Sequence, residues 1–343
     1  MFNPRYSITN KLLANIKKIS LLVNELNDRR FPNIVLLGFE KTALAVSAYA
    51  STSIEGNPLP LTQVKEILKS KPSNIRDSEK EVLNYNQALQ ELNKKLKDKV
   101  TLSLDLILKI QKQIIQSLLP AFELGHLREK PVVVNDPRTG QTVYLPPDVK
   151  DVKPLIEDLI EFTKNNRNTI DSLVLAGIFH KQMVIIHPFM DGNGRTARLA
   201  TKILLAQMGL NTFNLFSFEN YYNKNVTKYF QTVGEFGSYY DLAGKIDFTL
   251  WLEYFTDGII DELLRVGEIL PKTAIGPKTE LQDYHLKILR FIKDKGFIKD
   301  RDYAKLTERA KATRTQDFKK LRKLGFIERK AKGKATYYVL KDK

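Results

Sequence analysis

Apolar residues recur at intervals of three and four through most of the first 270 positions. That spacing places them on one face of a helix with 3.6 residues per turn. It predicts helices over 8–26, 36–49, 61–68, 78–96, 104–118, 152–163, 172–186, 196–208 and 248–264. Gly56-Asn57-Pro58 is a stop signal after the second of these. Two extended runs, 131–134 and 141–145, flank a turn over 135–140 and are closed by Pro146-Pro147. They predict a hairpin. The stretch 213–240 is rich in aromatic residues. Beyond 270, a Pro- and Gly-containing segment predicts a linker. Helices over 281–295, 302–306 and 312–324 follow, then strands over 326–330 and 336–340 around a Lys-Gly-Lys turn. The pattern predicts a mainly α fold with a small β-hairpin and a C-terminal helix-helix-helix-hairpin module.

A chain of 343 residues with 43% hydrophobic content supports two or three domains, each with a core. There is no cysteine, which excludes disulfides, thiolate nucleophiles and cysteine zinc sites. The four histidines are scattered, which argues against a histidine-rich metal site. The opening residues are not those of a signal peptide, and no apolar run reaches spanning length. A soluble, cytoplasmic protein without membrane contact is expected. The net charge of +16 is uneven: residues 278–343 hold 21 Lys and Arg against 9 Asp and Glu. That asymmetry predicts a surface for nucleic acid or another acidic partner on the C-terminal part.

One string concentrates chemistry: His187-Pro188-Phe189-Met190-Asp191-Gly192-Asn193-Gly194-Arg195-Thr196-Ala197-Arg198. His187 can accept a proton near neutral pH. Asp191 is a hard oxygen ligand of the kind that binds Mg²⁺ together with phosphate oxygens and water. Gly192 and Gly194 let backbone N–H groups approach a ligand, and a helix starting there favours bound phosphate. Asn193 adds a side-chain donor. Arg195 and Arg198, three apart, lie on one helix face, and each guanidinium fits phosphate oxygens. Upstream, Ser51-Thr52-Ser53-Ile54-Glu55-Gly56-Asn57 ends an amphipathic run. Glu55 alone reads as a solvated charge near a helix C-terminus, where a carboxylate gains from a docked cation. His180 reads as a packed helix residue, His126 as structural or exposed, and Trp251 as core.

The first string resembles the signature of Fic-domain nucleotidyltransferases, His-x-Phe-x-Asp/Glu-Gly-Asn-Gly-Arg-x-x-Arg, at every specified position. Doc-like kinases replace part of its Gly-Asn-Gly-Arg core with a lysine-containing sequence, which this chain lacks. The resemblance implies a protein adenylyltransferase that moves AMP from ATP to a Ser, Thr or Tyr hydroxyl of a target protein, the chain itself included. It implies His187 as the base and Asp191 as the Mg²⁺ ligand. It implies Gly192, Asn193 and Gly194 as the anion cradle, with Arg195 on the β phosphate and Arg198 on the γ phosphate. Tyr229 and Phe230 stand where such proteins place aromatics near adenine; ordinary core packing is the alternative. Ser51, Glu55 and Gly56 match the family's inhibitory motif, Ser/Thr-x-x-x-Glu-Gly/Asn, in the class with an N-terminal inhibitory helix. There Glu55 would pair with Arg198 and keep ATP from seating productively. The same glutamate could instead serve AMP removal.

The hairpin corresponds to the family's flap, whose open edge can take an extended target segment by strand addition. The C-terminal module resembles a winged helix, with Arg314, Lys319, Lys320, Arg322 and Lys323 on its third helix suited to DNA phosphates. Winged helices also dock proteins or form dimers, so a homodimer is the other expectation. The expected organisation is an N-terminal helical region over 1–110 with the inhibitory motif at 51–56. A catalytic core over 111–270, a linker over 271–280 and the winged helix over 281–343 follow. The competing functional readings are a DNA-binding regulator with a nucleotide-sensing Fic domain, transfer of UMP or another group, and a Glu55-dependent deAMPylase.

Overall fold

A computed structural model describes residues 2–29, 31, 33–70, 75–96, 100–135, 139–210, 212–270, 281–331 and 333–341. The expected linker at 271–280 lies outside the described residues. So do the middle of the hairpin turn, 136–138, and residues 97–99. The fold is mainly α. The chain divides into two compact units, Met1–Val23 with Leu44–Leu263, and Asn24–Ala43 with Leu264–Lys343. Residues 24–43 thus group with the C-terminal segment, a division the sequence pattern did not suggest.

The first unit contains most of α1 (Asn10–Asn27) and the second half of α2 (Asn33–Ile54). It continues with α3 (Leu61–Lys69), α4 (Asp77–Lys95) and α5 (Leu104–Ile114). After a hairpin come α6 (Val149–Asn165), α7 (Ser172–Ile186) and α8 (Asn193–Gln207). Helix α7 is apolar almost all round and nearly every residue of it is buried, as expected of a helix enclosed by others. Its start is capped by Asp171, whose Oδ1 accepts from the Leu173 N–H at 2.9 Å. Helix α8 packs along it and also touches α4 and α5.

The aromatic stretch resolves into two short helices, α9 (Glu219–Lys224) and α10 (Val226–Val233). After a further short helix, α11 (Tyr239–Leu242), the unit closes with the greater part of α12 (Thr249–Ile269). Phe218, Tyr222, Tyr229, Trp251 and Phe255 gather around the buried ring of His180. Trp251 is core, and its Nε1 donates to the Gly177 carbonyl at 2.7 Å.

The hairpin strands are shorter than the sequence pattern suggests. β1 covers only Val134–Asn135; Pro131, at the start of the expected run, cannot donate to a ladder. β2 (Thr142–Leu145) pairs with it antiparallel, Val134 opposite Tyr144. A third strand, β3 (Gly237–Ser238), pairs with β2 in parallel, Tyr144 opposite Gly237. One side of the hairpin is therefore covered. In this sheet, of order β1-β2-β3, the outer edges of β1 and β3 lack a strand partner among the described residues.

The second unit contains α13 (Asp283–Lys295), α14 (Asp300–Ala304), α15 (Lys311–Lys323), β4 (Ile327–Lys330) and β5 (Tyr337–Leu340). β4 and β5 pair antiparallel, and Ile298 adds a bridge to Tyr338. The core is built from Ile288, Leu289, Ile292, Tyr303, Phe318 and Leu321, with Phe39 of α2 packed against it. Arg314 is held by Asp300 through two bonds of 2.9 Å, so its guanidinium is committed within the unit. Lys319, Arg322 and Lys323 are exposed.

Candidate active site

Helix α7 ends at Ile186, and His187 leaves it in the left-handed region at φ 50°, ψ 60°. For a residue with a Cβ this conformation costs roughly 1–2 kcal/mol. It turns the chain sharply out of the helix. The half-buried imidazole faces back, with Nδ1 3.3 Å from the Val184 carbonyl. Nδ1 is then the protonated nitrogen and Nε2 carries the free lone pair. Burial pushes the His187 pKa down, outweighing the Val184 contact and the charges of Glu55 and Asp191. The ring is neutral at pH 7 and able to accept a proton.

The loop that follows is stapled from within. Phe189 is fully buried. Its N–H donates to Asn193 Oδ1 and its carbonyl accepts from Asn193 Nδ2, both at 2.9 Å. The Asn193 side chain thereby staples the loop, and its backbone begins α8. Gly192 caps that helix at φ 80° and comes so close to Ile115 that an added Cβ would lie 3.0 Å from its Cγ2. The N-terminus of α8 is thus a ring of backbone N–H groups closed by two glycines.

Asp191 is half-exposed. Its Oδ1 accepts from the Gly192 N–H and from Arg195 Nη2, the latter at 2.9 Å. Its Oδ2 makes no hydrogen bond among the described residues. A single carboxylate with one uncommitted oxygen fits Mg²⁺ shared with phosphate oxygens and water, not an all-protein cage. Accordingly, no cluster of three or more His, Cys, Asp and Glu occurs among the described residues. Arg195 is buried and bonds Glu81 through Nη1 at 3.1 Å, while its Nε has no protein partner.

Arg198 has no exposed side-chain surface. Its Nε donates to Ser51 Oγ at 2.8 Å and its Nη2 to the Ser51 carbonyl at 2.8 Å. Nη2 also reaches Glu55 Oε1 at 2.7 Å. Burial works against the charge on Arg198, but Glu55 and neighbouring hydroxyls more than compensate and raise its pKa.

The segment bearing these partners is longer than the pattern predicted, since α2 runs on to Ile54. Thr52 keeps the last turn helical by donating from Oγ1 to the Ala48 carbonyl at 2.8 Å. Gly56 N–H to Ser53 O and Asn57 N–H to Thr52 O then close the helix as a Schellman motif, with Gly56 at φ 92°. Glu55 sits at the cap itself, and its carboxylate lies over α8. An added Cβ on Gly194 would be 2.2 Å from Glu55 Oε1 and 3.0 Å from Arg198 Nη1. A carboxylate already rests on the anion-favouring helix start.

Behind Arg198 lies a buried polar network. Tyr229 Oη stands 3.5 Å from Arg198 Nη1 and 3.1 Å from His180 Nε2, and His180 Nδ1 meets Thr201 Oγ1 at 3.0 Å. Tyr229 is buried in the aromatic core beneath the arginine, and Phe230 is partly exposed beside it. A second chain joins Tyr85, Glu219, Lys202 and Ser47, with Tyr85 donating to Glu219 at 2.7 Å and Lys202 to Ser47 at 3.1 Å. These bonds fix the final turns of α2 against α8. Nothing in the sequence pattern singled out Tyr85, Lys202 or Glu219. His126 is exposed.

The hairpin is tied to the same loop. Arg128, buried, donates from its backbone N–H to the Pro188 carbonyl at 2.9 Å and from Nε to the His187 carbonyl at 2.9 Å. Its Nη1 donates to the Lys130 carbonyl at 3.3 Å and its Nη2 to the Pro147 carbonyl. Tyr144 of β2 donates to the Ile185 carbonyl at 3.1 Å.

Residues 101–205 match the model of the Fic/DOC family. Protein adenylyltransferase fic-1 of Caenorhabditis elegans is 32% identical over 166 residues, 47% of this chain and 31% of that protein. Protein adenylyltransferase Fic of Drosophila melanogaster is 27% identical over 216 residues, 57% of this chain and 42% of that protein. The chain therefore spans less than half the length of these relatives. A solved Fic family protein from Desulfovibrio desulfuricans matches 100% of this chain and 99% of its own, with TM-score 0.68 and 20% identity. Fic-1 of C. elegans matches 75% of this chain and 72% of its own, with TM-score 0.59 and 23% identity. At these identities the structures establish a shared fold.

Proposed function

We propose that this chain, which carries a Fic domain, is a protein adenylyltransferase that moves AMP from ATP to a hydroxyl of a target protein. The observation that carries this reading is the joining of a neutral imidazole to an anion cradle. His187, at the end of α7, stands five residues before the helix start that Gly192 caps, with Arg195 and Arg198 on the first turns of α8. The names of the sequence relatives, protein adenylyltransferases, point the same way. In the proposed reaction His187 Nε2 takes the proton of a Ser, Thr or Tyr hydroxyl as its oxygen attacks the α phosphorus. The bond from that phosphorus to the bridging oxygen of the β phosphate breaks, and pyrophosphate leaves. Backbone N–H groups at the start of α8 hold phosphate oxygens, and the two arginines neutralise the charge that builds on the leaving group. Asp191 would hold Mg²⁺, which when bound supplies further positive charge beside the phosphates.

The site is restrained from within. Glu55 holds Arg198, which a γ phosphate needs, and the enzyme idles until α2 releases it. The acceptor enters along the outer edge of β1, on another protein or on a second copy of this one. The second unit fits a winged helix. Its α15 presents Thr315, Gln316, Lys319, Arg322 and Lys323 on one exposed face, with the helix's only acid, Asp317, buried. That face suits duplex DNA.

The test is incorporation of label from α-³²P-ATP with Mg²⁺, followed by mass spectrometry of the modified residue. Label should add AMP to a hydroxyl, resist competition by UTP, and vanish in His187→Ala. Label that persists in His187→Ala, or none in any form with cell lysate as target, would overturn the reading. Removal of AMP from a pre-labelled protein, lost in Glu55→Gly, would establish the reverse activity instead.

A further inference from the structure

Arg128 is a buried cation without a carboxylate partner at ion-pair distance among the described residues. A buried charge is costly unless its donors are satisfied. Here each guanidinium nitrogen donates to a backbone carbonyl, and the three carbonyls belong to separate segments. Lys130 stands before β1, Pro147 stands after β2, and His187 is the proposed base. The backbone N–H adds a fourth bond, to Pro188. One side chain therefore spans both feet of the hairpin and the residue whose left-handed backbone aims the imidazole.

We infer that Arg128 is a positioning residue, fixing the distance between the flap that holds the acceptor segment and the nitrogen that deprotonates it. The inference rests on the adenylyltransferase reading for its kinetic arm alone. The His187 conformation is strained, and such a conformation persists only where its surroundings over-determine it. Arg128 supplies that constraint by holding the His187 carbonyl. Tyr144 supplies a second anchor, through the Ile185 carbonyl two residues earlier. A lysine has one nitrogen in place of three spread over a rigid fork, so it cannot hold three segments in one geometry. Arg128 makes no bond to the cradle residues 192–194, to Arg195 or to Arg198, so the ATP site is left intact by its loss.

The experiment compares Arg128→Lys, Arg128→Gln and Tyr144→Phe in the full chain carrying Glu55→Gly. A misplacement of about 1 Å costs about 100-fold in rate. We expect kcat for AMP transfer to fall about 100-fold in both Arg128 variants, with KM for ATP within about threefold of the parent. Tyr144→Phe keeps its ring and loses only the hydroxyl bond; its kcat should fall about tenfold with the same unchanged KM. Hydrogen exchange at residues 134–135 and 142–145 should accelerate in all three. Transfer by Arg128→Lys at the parent rate would overturn the inference, as would a KM for ATP that rises with the loss of kcat, or unchanged exchange in the hairpin. If Arg128→Gln does not fold, the other two variants decide. A parent that transfers no AMP would count against the adenylyltransferase reading, while the exchange measurement would still judge whether Arg128 pins the hairpin.

Discussion

Replacing Glu55 with glycine removes the carboxylate from Arg198 and leaves the arginine its two contacts with Ser51. The size of the effect follows from the contact. Glu55 Oε1 accepts a bond of 2.7 Å from a guanidinium with no exposed surface, and the Glu55 side chain is 28% exposed. Water competes weakly there. A hydrogen bond between charged groups in such a place contributes about 1.5–3 kcal/mol net. At about 1.4 kcal/mol per decade that is roughly 10-fold to 150-fold. In the proposed reaction a γ phosphate displaces this contact to reach Arg198, so productive ATP binding and AMP transfer should rise by the same factor. Glu55→Gln keeps a neutral bond, weaker by about 1–1.5 kcal/mol, and should give a rise of about fivefold to tenfold. The assay is the initial rate of label incorporation from α-³²P-ATP for the parent, both single variants and Glu55→Gly/His187→Ala. The order glycine, glutamine, parent is expected, with the double variant inactive. A folded Glu55→Gly chain that binds ATP and transfers no faster than the parent would refute the restraint.

Other perturbations follow from the same geometry. Because burial lowers the His187 pKa, the ring stays a neutral base as pH drops through about 6.5, the ordinary value. The acid limb of AMP transfer by the Glu55→Gly chain should therefore lie below that value, and an inflection at or above it would contradict the assignment. Burial, aided by the Arg198 charge, pushes the pKa of His180 down to about 3, so between there and its unfolded value the unfolded chain binds more protons. Stability is lost as pH falls through that window, by about 2 kcal/mol at pH 5. Urea titrations at pH 7 and pH 5 should show that loss in the parent and a smaller one in His180→Asn. Gly194→Ala should expel Glu55 and yet fail to raise transfer, because the added methyl crowds the cradle; calorimetry should show ATP affinity at least about tenfold weaker. Lys319→Glu with Arg322→Glu should weaken binding to duplex DNA and lower its salt slope by about 2, measured by fluorescence anisotropy. Binding that ignores salt would sink the DNA assignment.

The parts legible in the sequence are those written in short, contiguous code. The nine helices expected before residue 270 follow from apolar spacing, and His187 to Arg198 declares its chemistry within twelve positions. The C-terminal order of three helices and two strands was legible for the same reason. The helices α9 and α10 were not, because six and eight residues hold too few turns to show a period, and their aromatics serve the core from several directions. β3 pairs through two residues across a gap of more than ninety, which leaves no local mark. Arg128, Tyr85 and Glu219 act through bonds to distant segments, so nothing adjacent to them signals their partners. The motif at 51–56 identified Glu55, but the extra turn that aims it depends on Thr52 bonding backward and on the Gly56 closure. The place of Asn193 in the motif was plain, but its pairing with the Phe189 backbone was not.

Glu55 over Gly194 has a consequence for how such a protein can change by mutation. Under the proposed restraint, the off state and the on state share the same atoms of α8, so most substitutions there that disturb the restraint also disable the machinery it restrains. Substitutions at Glu55 or Gly56 strike the proposed restraint and leave α8 and its arginines as they are. Random change therefore reaches an unrestrained, active variant through a handful of codons in one helix end, while the motif itself yields mostly silent proteins. On the proposed reading, the inherited risk of runaway activity is concentrated at one helix cap, and so is the easiest route by which selection could retune the threshold.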